Sequence, residues 1–206
     1  MALYSENRNF IFVHIYKCAG NSIRKILADN TPDVIEINGA HSTLEDIKLH
    51  FNNNNLIDKY NQSYKFSFVR NPYAWLISLY FYIIACRKHQ YNKVVSNMSY
   101  VQFLFWLLDK INSKQIQGEN KYGKLLDFLT VDNKIESDFI GKIETLEDDF
   151  KIISNKIGIV FETIPELNIK RGQYYDLNYR KYYNNISKNI IRKNFESDLD
   201  YFKYTF

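Results

Sequence analysis

The feature that most constrains the fold is a six-residue apolar run, Phe10-Ile-Phe-Val-His-Ile15, that passes directly into Tyr16-Lys-Cys-Ala-Gly-Asn-Ser22. The run is rich in β-branched and aromatic side chains, as a buried strand requires. The small and polar residues after it can only be a loop, and residues 22–28 then read as a helix. A strand, a tight loop and a helix in that order are the opening unit of an α/β domain, whose ligands gather at the carboxyl ends of the strands.

Similar units recur downstream. Residues 34–37 form a second strand, and Ser42 or Thr43 can cap a helix that runs to about Phe51, with Glu45 or Asp46 in its first turn. Residues 52–55 are a polar linker. Residues 64–69 are the next strand, and Pro72 opens a helix that the apolar pattern extends to about His89. Residues 100–111 are a strongly apolar helix, and 112–124 a polar loop suited to facing a substrate. Residues 138–143 read as a strand and 146–157 as an amphipathic helix with Glu147, Asp148 and Asp149 in its first turn. A helix over 187–195 and an aromatic end at 201–206 complete the chain. No internal repeat interrupts it, and its 206 residues are expected to form a single domain spanning 1–206.

Composition narrows the function classes. Lys and Arg number 27 and Asp and Glu 23, a formal +4. That balance suits anionic small molecules but lacks the basic blocks of a nucleic-acid binder, so no nucleic-acid partner is expected. Two cysteines, Cys18 and Cys86, are too few for a disulfide framework, and the four histidines fall at no metal-ligand spacing, so no metal is expected. The most apolar stretch, 75–86, is well short of the roughly 20 residues a membrane span needs. With no basic segment leading into an apolar one at the start, a cytoplasmic chain without a membrane span is the expectation.

The first loop is the sharpest chemical feature. A helix N-terminus carries roughly half a positive charge and points N–H groups outward. Gly20 permits close backbone approach, Asn21 and Ser22 offer side-chain donors, and Lys17 adds a full charge. Together they suit a phosphate or phosphosulfate, although the order is not that of a Walker A loop. The alternative is an ordinary connection with a solvated Lys17 and a small buried Cys18. The second feature is residues 66–80. Arg70 ends a strand, while Asn71, Trp75 and Ser78 are spaced to share one helix face. Arg70 and Ser78 can converge on one anion, as planar fork and hydroxyl donor. The plainer alternative is a salt-bridged arginine and a serine bonded to its own helix.

These two stretches are where the chain resembles a family. Val13-His-Ile-Tyr-Lys-Cys-Ala-Gly-Asn-Ser-Ile23 resembles the 5′-phosphosulfate loop of carbohydrate sulfotransferases, usually H-I-P-K-T-G-G-T-S. Phe68-Val-Arg-Asn-Pro-Tyr-Ala-Trp-Leu-Ile-Ser-Leu-Tyr80 resembles their 3′-phosphate motif, F-V-R-N-P-Y-x-R-x-x-S-x-Y. Residues 138–150 look like the family's I-G-R-x-E-x-L-x-x-D-F segment, and 198–206 like its D-x-x-x-F-x-Y-x-F ending. Tyr16 stands where the pattern has Pro. Cys18, Ala19 and Asn21 replace Thr, Gly and Thr, and Trp75 replaces a common Arg. Lys17, Gly20, Ser22, Arg70, Asn71, Pro72 and Ser78 match.

The resemblance implies a three-layer, P-loop-like α/β domain with a short, mainly parallel central sheet and helices on both faces. It implies transfer of a sulfuryl group from 3′-phosphoadenosine 5′-phosphosulfate to a hydroxyl or amine of a carbohydrate or other small acceptor, without a metal. Lys17 would stabilise the leaving oxygen. The amides of Cys18, Ala19, Gly20, Asn21 and Ser22 would hold the 5′-phosphate, and Arg70 and Ser78 the 3′-phosphate. His41, in a His-Ser-Thr segment similar to one in bacterial members, is the candidate base, its ordinary pKa suiting the task; a helix-cap role is its alternative. His14 reads as a strand histidine orienting the loop, and His50 and His89 as surface residues. Lys170 and Arg171, beside Gly172, can reach the donor's 3′-phosphate as a similar basic tripeptide does in cytosolic sulfotransferases; a solvated loop is their alternative. A kinase-like phosphotransferase and a non-catalytic nucleotide-binding relative are the rival readings. A homodimer is compatible with the sequence.

Overall fold

The computed structural model describes residues 1–37, 39, 41–113, 122–165 and 178–206. Lys170, Arg171 and most of the predicted 112–124 loop therefore lie outside the described residues. In chain order the elements are β1 (Ala2–Ser5), β2 (Phe10–Val13), α1 (Gly20–Asn30), β3 (Ile35–Ile37), α2 (Leu44–Asn53), α3 (Ile57–Gln62), β4 (Tyr64–Val69), α4 (Pro72–Ala85), α5 (Asn92–Val95) and α6 (Tyr100–Asn112). They continue with β5 (Thr130–Val131), β6 (Lys134–Ile135), β7 (Phe139–Lys142), α7 (Leu146–Ile157), α8 (Asn185–Asn194) and α9 (Glu196–Phe202). The elements gather into two compact units, residues 1–70 with 117–167 and residues 71–116 with 168–206.

The first unit is a mixed α/β structure built on a five-stranded sheet of order β3-β1-β2-β4-β7. β2 pairs with β4 and β4 with β7 in parallel, whereas β1 runs antiparallel to both β2 and β3. Four of the five strands therefore point one way, and the sheet is mainly parallel, as expected. β2 is buried at every position, and its Phe10 and Phe12 rings meet Phe66 of β4 at 5.8 and 5.3 Å. Gly141 of β7 is required by packing, because a Cβ there would stand 2.4 Å from the Phe68 ring. Asp138 fixes the register just before β7, accepting from the Lys65 N–H at 2.7 Å.

Several boundaries differ from the sequence expectation. β1 was not anticipated, β2 stops at Val13 rather than Ile15, and β3 starts at Ile35. Residues 57–62 form a short helix that the pattern did not indicate. A hairpin of β5 and β6 turns through Asp132 and Asn133, both at positive φ, the backbone a tight two-residue turn needs. The Thr43 cap is as expected: its side chain accepts from the Asp46 N–H while Asp46 accepts from the Thr43 N–H.

The second unit is helical. Asn71 caps α4, its Oδ1 accepting from the Tyr73 N–H, and Pro72 opens the helix as expected. α4 stops at Ala85, four residues short of the predicted His89. The Asn92 side chain explains the stop: its amide donates to the carbonyls of Ile83 and Ile84 at 2.8 Å each, satisfying end groups that a longer helix would have bonded internally. Trp75 is wholly buried against Phe195 (ring centroids 6.2 Å). Tyr100 and Tyr183 share a hydroxyl–hydroxyl bond of 2.6 Å, and Tyr183 donates to the Tyr73 carbonyl. The predicted 187–195 helix runs from Asn185 to Asn194. His50 and His89 are half-buried rather than surface residues, and His89 Nδ1 accepts from the Tyr91 N–H. Among the described residues no helix is long and apolar enough to cross a membrane.

Candidate functional site

The topology of the first unit brings the chemistry to one edge. β2, β3, β4 and β7 run in the same direction, so their carboxyl ends emerge together. Lys17 follows β2, His41 follows β3, Arg70 follows β4, and Glu144 follows β7. The crevice outside such ends is where open α/β sheets take ligands. Ser67 ties the first and third of these strands at their ends, its hydroxyl donating to the Val13 carbonyl at 2.8 Å.

The loop between β2 and α1 is strained in a specific way. Lys17 and Ala19 both occupy the left-handed region, at φ 62° and 53°, on either side of Cys18. Left-handed backbone costs an L-residue about 1–2 kcal/mol, and such strain concentrates at ligand sites. Successive residues that alternate hand turn their N–H groups into one concavity, a nest for an anion. The Ala19 carbonyl accepts from the N–H groups of Ser22 and Ile23, while no described side chain caps the helix start. By contrast α2, α6 and α8 all begin with reciprocal capping boxes.

Gly20 has a packing role that the sequence did not reveal. A Cβ there would come within 1.8 Å of the His14 ring. The His14 imidazole edge thus rests on the Gly20 backbone; β2 stops at Val13, so His14 follows the strand rather than lying in it as expected. Burial holds its pKa well below the ordinary histidine value, with smaller effects of His41, the amino terminus, Arg24 and Lys17. Among the described residues its Nδ1 is buried without a hydrogen-bond partner.

Cys18 is buried, and desolvation raises its thiol pKa strongly, so it is no thiolate nucleophile. The Arg70 N–H donates to its sulfur, and the charges of Arg70, Glu144 and Lys17 all act on it. Arg70 thus stands beside the first loop. Asn21 is exposed and lines, with Arg24, Lys25 and Glu36, a surface cavity of about 400 Å³; Arg24 and Glu36 form an ion pair across it. Ser22 is buried in the first turn of α1, and Ser78 is buried within α4. Asn71, besides capping α4, donates from Nδ2 to the Thr205 carbonyl at 2.7 Å. Among the described residues no three His, Cys, Asp or Glu side chains gather as a metal site.

His41 is the most constrained polar group at the edge. Its backbone is left-handed (φ 57°), and its Nδ1 lies 3.0 Å from the His14 carbonyl oxygen. The ring meets His14 and Tyr16 edge-on, at centroid distances of 4.9 and 5.5 Å. Burial lowers its pKa to about 4, against the opposing hydrogen bond to His14, so it is neutral at pH 7 but a weaker base than the ordinary histidine the sequence implied. Its cap alternative is not realised: Thr43 caps α2.

The family model described as "Sulfotransferase family" matches residues 1–205. A curated relative from Archaeoglobus fulgidus, described as an uncharacterized protein, is 30% identical over 118 residues, 56% of this chain and 82% of the relative. No solved structure matches the chain.

Proposed function

The chain belongs to the sulfotransferase family, and from that premise we propose that it moves a sulfuryl group from 3′-phosphoadenosine 5′-phosphosulfate to a hydroxyl or amine of a carbohydrate or other small acceptor. The observation that carries this reading is the loop of residues 16–20: two left-handed residues, an uncapped helix start and a lysine at the carboxyl edge of the sheet. Such a concavity fits a dianionic phosphate.

In this reading the amides of Cys18, Ala19, Gly20, Asn21 and Ser22 hold the 5′-phosphate, and Lys17 stabilises the charge that develops on the leaving oxygen. Removing a group of that kind typically costs 10²–10³ in rate, or about 3–4 kcal/mol. His41, neutral at pH 7, accepts the acceptor's proton. Arg70 and Ser78 are assigned to the 3′-phosphate by the motif they match, and Lys170 and Arg171 supplement them. The chemistry needs no metal. The three-layer P-loop-like architecture and a single catalytic domain over 1–206 belong to the same proposal.

Calorimetric titration tests it. The protein should bind 3′-phosphoadenosine 5′-phosphate in preference to ATP and 5′-AMP, and Lys17→Ala and Arg70→Ala should each weaken that binding at least tenfold, about 1.4 kcal/mol. Equal binding of ATP would overturn the donor assignment.

A further inference from the structure

We propose that Tyr16 is a positioning residue for His41, and that with the His14 main-chain carbonyl it holds the ring as the Nδ1–H tautomer and leaves Nε2 as the proton-accepting atom. The inference rests on the reading of His41 as the base. It concerns the residue at which this chain replaces the proline of the family pattern with an aromatic ring.

The tautomer follows from the acceptor. A main-chain carbonyl has no proton to give, so the 3.0 Å contact between His41 Nδ1 and the His14 oxygen requires Nδ1 to donate. In the neutral ring the lone pair then sits on Nε2. The other ring edges explain why the imidazole does not turn. His14 stands against one side, itself fixed by the Gly20 backbone. Tyr16 stands against another with an interplanar angle of 78°.

Tyr16 is itself held on several sides. It is 5% exposed, and its hydroxyl donates to the Gly123 carbonyl at 3.1 Å. Its ring meets Tyr122 and Phe128 edge-on at 5.6 and 5.7 Å. The left-handed backbone of His41 is the kind of strain that persists only where surrounding contacts over-determine it. A proline at position 16 would supply neither the ring nor the hydroxyl. The loop pattern's departure at Tyr16 is thereby accounted for: the residue that enters the anion loop also braces the base.

In the step this serves, the acceptor oxygen attacks sulfur as its proton passes to His41 Nε2. The bond from sulfur to the bridging phosphate oxygen breaks, and its electron pair stays on that oxygen beside Lys17. Each proton and electron pair is accounted for within donor, acceptor and His41.

The test reads the tautomer directly. Nitrogen-15 spectra of histidine side chains in the whole protein at pH 7 should show His41 with its proton on Nδ1. A proton on Nε2 overturns the proposal. Tyr16→Leu should give a mixed tautomer and reduce the rate of donor desulfation by water roughly 10- to 100-fold. Tyr16→Leu with the wild-type tautomer and rate overturns the proposal. Tyr16→Phe, which keeps the ring, should retain the Nδ1–H tautomer even where the leucine variant does not fold. His41→Gln separates the two layers: if it retains the wild-type desulfation rate, the base assignment fails, whereas the tautomer result stands or falls by itself.

Discussion

The two strand-to-helix junctions after β2 and β4 look alike in sequence and differ in physics. After β2, two L-residues sit in left-handed backbone, the helix lacks a side-chain cap, and Gly20 is shaped by a buried histidine. After β4, Asn71 caps its helix and ties down Thr205, Pro72 presets the first turn, and Trp75 is fully buried against Phe195. The first junction starts its helix from left-handed backbone and without a side-chain cap at Ala19. At the second, the Asn71 side chain is taken up by its own helix and by Thr205. A motif match alone does not separate them, because a polar residue at a helix start serves equally as an anion donor and as a cap.

The sharpest break of that contrast is Trp75→Ala. A fully buried tryptophan lost from the second junction should cost about 3–5 kcal/mol in urea unfolding. A loss under 1 kcal/mol would remove the structural reading of α4's start. Next is acid. His41 has a folded pKa of about 4 against an ordinary 6.5. Above pH 6.5 it is neutral in both states. As pH falls from 6.5 toward 4 only the unfolded chain takes the proton, so stability declines by up to about 3 kcal/mol and then levels off. His14 shifts in the same direction. Urea titrations across that range should show His41→Gln with a distinctly flatter decline than the wild type.

Smaller effects sharpen the account of the first loop. Gly20→Ala should destabilise by about 1–3 kcal/mol, because its Cβ meets the His14 ring. The double variant with His14→Ala should recover part of that loss, and a strictly additive cycle would mean the contact is not the cause. Ala19→Gly should stabilise by about 1 kcal/mol in thermal or urea unfolding, by relieving the left-handed backbone.

What was legible in the sequence follows from locality. The Phe10 and Tyr64 strands declared themselves by contiguous apolar runs, and Thr43 and Pro72 by helix-start chemistry that acts within one turn. β1 was missed because its four residues owe their state to partners at 10–12 and 35–37. α3 was missed because Ile57–Gln62 has no apolar period, whereas Asp132–Asn133 did carry a turn signal for the small hairpin. At the candidate site, Lys17, Arg70 and His41 are singled out by motif and residue type. The bond from His41 to the His14 carbonyl, the Tyr16 brace and the clash that demands Gly20 are contacts across loops, which no spacing encodes.

The most direct test of the central claim is an amide proton–nitrogen spectrum of the labelled protein titrated with 3′-phosphoadenosine 5′-phosphate. The amides of residues 18–22 should move most, and Lys17→Ala should diminish their response. Saturable binding that leaves those amides in place would contradict it.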